Sequence, residues 1–140
     1  MHRTRVRDIM THEPVSIDPD LRINVALEMM SNAGVRRLPV LSSTGRVIGL
    51  ISKNDALIAL PHEHGGLANS VAEIPRIREV MSDYVYTIGP DDSIAKAASM
   101  MANHGISCLP VLDETKKLVG IVTESDIFKF VASQMPDDEE

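Results

Sequence analysis

With 140 residues, 44% of them hydrophobic and 24% charged, the chain has the composition of a soluble globular domain, long enough to bury a core without disulfide or metal staples. Its formal charge of −6, with 3% aromatic residues and no tryptophan, excludes the basic face and stacking platforms of an ordinary nucleic-acid binder and leaves an aliphatic core. Asp137, Asp138, Glu139 and Glu140 carry −4 of that charge, and residues 1–70 and 71–140 carry +1 and −7, so an anionic ligand meets a different field in each half.

The basic start, Met1 to Arg7, lacks the apolar stretch of a secretion signal, and no run of about 18 apolar residues is present to span a bilayer. Cys108 is the single cysteine, so no internal disulfide is available. A cytoplasmic protein without a membrane span is expected. Val6, Ile9 and Met10 stand at helical spacing and predict a short helix. Pro14-Val15-Ser16-Ile17 then alternates as a brief strand, followed by a turn at Pro19. Asp20 is the expected N-cap of an amphipathic helix over residues 21–33, with Ile23, Ala26, Leu27 and Met30 on one stripe and Gly34 as a left-handed terminator. Leu38-Pro39-Val40-Leu41 is the next strand, and the proline near its start predicts an edge or an entry position. The polar turn of residues 42–45 is short enough to force an antiparallel hairpin into the strand that ends at Ser52, where a last helix begins.

The whole series is then written again. Residues 7–55 align without a gap on residues 78–126, so that Met10, Gly34, Leu38-Pro39-Val40-Leu41, Gly49 and Asp55 return as Met81, Gly105, Leu109-Pro110-Val111-Leu112, Gly120 and Asp126. The prediction is an α+β chain of tandem β-α-β-β-α repeats, residues 6–60 and 77–135. A unit of about 50 residues is marginal alone, so the repeats are expected to pack face to face about a pseudo-twofold axis. Residues 61–76, with Gly65-Gly66, read as a linker, partly helical from Leu67, and residues 136–140 as a frayed acidic tail.

Met at the start of each repeat, Gly-x-x-x-Leu-Pro-Val in its middle and an apolar pair followed by Ser/Thr-x-x-Asp at its end together resemble a CBS-domain pair, a family named after cystathionine β-synthase. The resemblance covers nearly the whole chain. It implies a disc-shaped module, a homodimer of such discs, and clefts between the two repeats that take AMP, ADP, ATP or S-adenosylmethionine as a regulatory ligand, with no cofactor required. It also implies a regulatory and non-catalytic role exerted on an effector protein not identifiable from the sequence.

Ser52 with Asp55, and Thr123 with Asp126, have a sufficient structural explanation as capping boxes. The same geometry lets a carboxylate accept both ribose hydroxyls while the helix N-terminus faces a phosphate, and the resemblance gives Asp55 and Asp126 the ribose, with Ser52 and Thr123 beside them. Both readings stand. Ser16, Ile17, Thr87 and Ile88 are plain core on one reading and, with Pro39 and Pro110, the walls of the adenine site on the resemblance. Arg36 and Arg37 in the first repeat become Ser107 and Cys108 after His104-Gly105 in the second, and Lys53 becomes Glu124. Arginine and lysine near a helix N-terminus favour phosphate and glutamate opposes it, so the two sites are expected to be unequal, the more anionic ligand going to the one reached by Arg36, Arg37 and Lys53. His104 is the further candidate of the second repeat. His62-Glu63-His64 has too few ligands for a metal site, Met29, Met30, Met100 and Met101 read as core, and Cys108 as buried. A ligand-free dimerisation module is the alternative function. An enzyme ranks below both, because no catalytic triad or phosphate-loop motif is written in the sequence.

Overall fold

The computed structural model describes residues 3–61 and 73–137. The expectations for His62-Glu63-His64, for Gly65-Gly66, for a helix from Leu67 and for residues 138–140 lie outside them. The elements run α1 (Val6–Ile9), β1 (Thr11–His12), α2 (Ile23–Ala33), β2 (Arg37–Leu41), β3 (Val47–Ser52), α3 (Lys53–Ala59), α4 (Ile77–Val80), α5 (Ile94–His104), β4 (Cys108–Leu112), β5 (Leu118–Thr123) and α6 (Glu124–Gln134), an α+β chain.

Two compact units form, and neither is a sequence repeat. The continuous unit is Val15–Val85, and the composite unit joins Met1–Pro14 to Tyr86–Glu140. In the continuous unit, Ile17, Ile23, Ala26, Met30, Leu38, Val40, Ile51, Ala56 and Ile77 close one core. In the composite unit, Val6, Met10, Ile88, Ile94, Ala97, Met101, Leu109, Val111, Val122 and Ile127 close the other. Each hairpin is antiparallel, with Leu38 opposite Ile51 and Leu109 opposite Val122. β2 pairs with β3 and β4 with β5, and the other side of each takes a single parallel bridge, from Ile17 and from Ile88, so neither proline lies on a bare sheet edge.

Each unit holds a short lead-in helix against the turn that precedes its long helix. The first N–H groups of a helix have no partner inside it. Those of Val6 and Arg7 donate to the Asp92 and Pro90 carbonyls at 2.9 Å each, and those of Ile77 and Arg78 to the Leu21 and Pro19 carbonyls at 2.8 and 3.0 Å. An ion pair sits over each set, Arg7 with Asp91 and Arg78 Nε with Asp20 at 2.8 Å. Behind each lead-in helix a methionine presses on a glycine: a Cβ built at Gly120 would overlap Met10 Sδ, and one at Gly49 would overlap Met81 Sδ. The residues that follow extend each hairpin at its far edge, Thr11–His12 as a strand on β5 and Ser82 as a single bridge to Leu50.

Two sequence expectations are corrected. Asp20 and Asp91 do not cap the long helices, whose N-cap residues are Arg22 and Ser93; of these only Ser93 accepts with its side chain, from the Lys96 N–H at 3.0 Å. The aspartates are taken by arginines of the lead-in helices instead. The strand-like stretches before Pro19 and Pro90 reduce to single parallel bridges, Ile17 with Val40 and Ile88 with Val111. Ile17 N–H donates to the Pro39 carbonyl at 3.0 Å and its carbonyl accepts from Leu41 at 3.0 Å, but the next bond of that ladder needs an N–H that proline does not have. Pro110 truncates the second stretch in the same way. The terminators Gly34 and Gly105 stand where expected, at φ +68° and +63°.

Two tests follow from these contacts. Gly120→Ala should cost about 1–3 kcal/mol by overpacking, with Met10→Ala in the same chain recovering part of the loss in a double-mutant cycle read by urea denaturation. The hydrogen bond and charge of Arg78 hold the Asp20 carboxyl below its ordinary range. A depressed folded value means the stabilisation is full above the unfolded titration near pH ~4 and is lost as pH falls through the folded value. The stability difference between the parent and Asp20→Asn should therefore shrink toward zero as pH drops from 7 to about 3.

Candidate functional site

The two strands of each hairpin meet at the end where the following helix starts. In the continuous unit Arg37 pairs with Ser52, and the Lys53 N–H donates to the Arg36 carbonyl at 2.8 Å. One corner thus gathers Arg36, Arg37, Ser52 and Lys53, four residues that the sequence separates by a hairpin. Ser52 Oγ accepts from the Asp55 N–H at 3.1 Å and caps α3. Arg36, Lys53 and Asp55 are exposed and Arg37 and Ser52 half-buried. None of the side chains of Arg36, Arg37, Lys53 and Asp55 makes a hydrogen bond or ion pair with a described residue.

In the composite unit the same backbone carries other chemistry. Cys108 pairs with Thr123, and the Glu124 N–H donates to the Ser107 carbonyl at 2.9 Å. Thr123 Oγ1 accepts from the Asp126 N–H at 3.3 Å, while Asp126 Oδ2 accepts from the Thr123 N–H at 2.9 Å and from Thr123 Oγ1 at 3.1 Å. The capping box closes fully here and only halfway at Ser52. Arg36, Arg37 and Lys53 stand at the hairpin corner from which the helix carrying Asp55 starts, whereas at the matching corner stand Ser107, Cys108 and Glu124, none of them a cation.

Alongside each hairpin run residues 15–18 and 86–89. The side chains of Ile17, Pro39, Ile88 and Pro110 are buried, and the backbone groups of Ile17 and Ile88 are spent on β2 and β4. In extended backbone successive residues turn their polar groups to opposite sides, so the outer edges belong to Ser16 and Asp18 in one unit and to Thr87 and Gly89 in the other. The Gly89 N–H donates to Asp92 Oδ2 at 2.8 Å. His104, at the end of α5, stacks on Tyr86 with ring centroids 3.9 Å apart and planes inclined by 16°. Neither contact is foreshadowed in the sequence: Tyr86 stands 18 residues before His104 in the chain, and Asp92 is indistinguishable there from a helix cap.

A groove of about 380 Å³ in the continuous unit is lined by Arg22, Glu73, Ile74, Pro75, Arg76, Glu79 and Val80, none of them a candidate residue. Its guanidinium groups are occupied, Arg22 by the Ile74 carbonyl at 2.7 Å and Arg76 by the Asp20 carbonyl. Among the described residues no group of three or more His, Cys, Asp or Glu is placed to hold a metal ion, and no helix is long and apolar enough to cross a membrane. Cys108 is buried.

The CBS domain model matches the chain twice, at residues 6–62 and 77–133. Over 132 residues the chain is 30% identical to a homoserine O-acetyltransferase of Methanohalobium evestigatum, and over 133 residues 32% identical to the uncharacterised protein MJ1225 of Methanocaldococcus jannaschii. These matches take in 94% and 91% of this chain but only 25% and 47% of the relatives, so the chain spans a quarter and about half of their lengths. The CBS domain pair of protein MJ0100 in complex with 5′-methylthioadenosine and S-adenosyl-L-methionine superimposes with a TM-score of 0.82 at 26% identity, over 96% of this chain and all of that one. The cytosolic domain of the Mg2+ channel MgtE in complex with ATP gives 0.74 at 26% identity, over 90% of this chain and 48% of the other.

The unequal caps make a stability prediction. Asp126→Ala should cost about 0.5–2 kcal/mol in denaturant unfolding, the worth of a helix cap. Asp55→Ala should cost only a few tenths, because among the described residues its carboxylate binds none.

Proposed function

The chain belongs to the CBS-domain family, and from that premise we propose that it is a regulatory module that binds an adenosine-bearing ligand, AMP, ADP, ATP or S-adenosylmethionine, and passes the binding on to another protein. One observation carries this reading: the hairpin of the continuous unit brings Asp55, whose carboxylate no described residue binds, to the same corner as Arg36, Arg37 and Lys53. A carboxylate suits a vicinal diol and the cations suit phosphate. The two similar structures, one holding S-adenosylmethionine and methylthioadenosine and the other ATP, support the ligand class. Ser16 and Asp18 would meet the base through their outward backbone groups, which leaves Ile17 and Pro39 a supporting part.

The role is binding and not catalysis. The acetyltransferase name belongs to relatives about four times the length of this chain, and no candidate group here is paired as nucleophile and base. The homodimer implied by the family has one feature in its favour: Phe128, Val131 and Met135, exposed and spaced three and four residues apart, form a stripe along and just beyond α6. The ligand-free reading has one too, since Asp126 is fully used as a cap.

Calorimetric titration with the four ligands tests the proposal. Binding by at least one is expected, with Asp55→Ala weakening it about tenfold or more, as for a hydrogen bond to a charged group. Lys53→Glu should weaken ATP more than S-adenosylmethionine. Absence of heat with all four at millimolar concentration would leave the dimerisation module as the better account.

A further inference from the structure

The two copies of the candidate site differ in how much of each the chain already satisfies by itself. In the composite unit the Tyr86 ring is covered by the His104 imidazole, 3.9 Å away and nearly parallel. The Gly89 N–H, on the outer edge of its segment, is closed by Asp92 Oδ2 at 2.8 Å. The Asp126 carboxylate is closed by the N–H and hydroxyl of Thr123 at 2.9 and 3.1 Å. At the matching positions of the continuous unit stand Val15 and Ala33, which have no rings to stack, and Leu21, which cannot accept a hydrogen bond. Among the described residues no hydrogen bond closes on the Asp18 N–H, and the Asp55 carboxylate has no partner.

An aromatic face, an N–H at the edge of the base and a carboxylate for the diol are the three contacts by which a nucleoside is held. We propose that the composite unit is self-occupied, its own side chains filling all three, so that the chain takes one adenosine-bearing ligand and takes it in the continuous unit. The inference rests on the function proposed above and adds to it how the two copies divide the work. A ligand entering the composite unit must first unstack His104 and break the bonds of Asp92 and Asp126. Each exchange returns little net gain, because a contact already made is replaced by another of its kind. In the continuous unit Val15 offers an exposed apolar side chain in place of the ring, and the diol and the edge of the base meet an Asp55 carboxylate and an Asp18 N–H to which no described residue is hydrogen-bonded.

The substitutions that separate the copies supply the test. Titration calorimetry with ATP and with S-adenosylmethionine on the full chain should give one equivalent per chain, weakened about tenfold or more by Asp55→Ala and unchanged in affinity by Asp126→Ala. Giving the composite unit the residues of its counterpart, His104→Ala with Asp92→Leu, should bring in a second equivalent; His104→Ala alone, at an exposed helix end, should do so more weakly and serves if the double variant fails to fold by circular dichroism. Two equal equivalents in the parent overturn the inference while leaving the sensor function intact, as does one equivalent lost with Asp126→Ala and kept with Asp55→Ala. A folded opened variant that still takes one equivalent overturns it as well. No binding by parent or variants overturns the sensor function, and the inference with it.

Discussion

The N–H groups of Val6 and Arg7, and of Ile77 and Arg78, open helices of only four residues and find their acceptors on the turns at Pro90 to Asp92 and Pro19 to Leu21. A helix this short has no stability of its own, and it persists because those turns supply the acceptors while an arginine–aspartate pair and a buried isoleucine or valine fasten it down. The attachment sets the rest. It brings Met10 onto Gly120 and Met81 onto Gly49, and it carries Thr11–His12 and Ser82 to the hairpin edges. Glycine is required in β3 and β5 because a methionine side chain, supplied by a segment remote in sequence, occupies the space a Cβ would need.

With the backbone held so closely alike in both units, function can diverge only at side chains the frame does not use. Ser52 and Thr123 both cap a helix, so neither can change freely. At positions beside them the copies part: lysine against glutamate, two arginines against serine and a buried cysteine, valine and alanine against a stacked tyrosine and histidine. The same exchange turns one carboxylate toward solvent and the other back onto its own threonine. A duplicated scaffold thus carries at one corner Arg36, Arg37, Lys53 and an Asp55 carboxylate that no described residue binds, and at the other an Asp126 carboxylate bound to Thr123.

Much of this was legible in the sequence. The gapless register, the glycine terminators and the hairpins follow from local chemistry, and the α+β class follows from them. The membership of the units was not legible. Arg7 and Arg78 are equivalent, as are Asp20 and Asp91, so nothing in the residues says which arginine meets which aspartate, and the chosen pairing joins the first lead-in helix to the body of the second repeat. The reach of a proline beyond its own residue was missed too, since Pro39 and Pro110 shorten a neighbouring strand and not the one they occupy. At the site, the grouping of Arg36, Arg37, Ser52 and Lys53 followed from the hairpin register. The stacking of His104 on Tyr86 and the closure of Gly89 by Asp92 depend on side-chain directions that spacing does not report.

The central claim is that an adenosine-bearing ligand is held at the corner of the continuous unit. Amide chemical shifts, followed by NMR as ATP or S-adenosylmethionine is added, test it most directly, because they report where a ligand sits as well as whether it binds. The account predicts the earliest and largest shifts at Ser16, Asp18 and Ser52 to Asp55, with Thr87 and Thr123 to Asp126 moving later or not at all. Unchanged amides at millimolar ligand, or shifts confined to residues outside both hairpin corners, would contradict it.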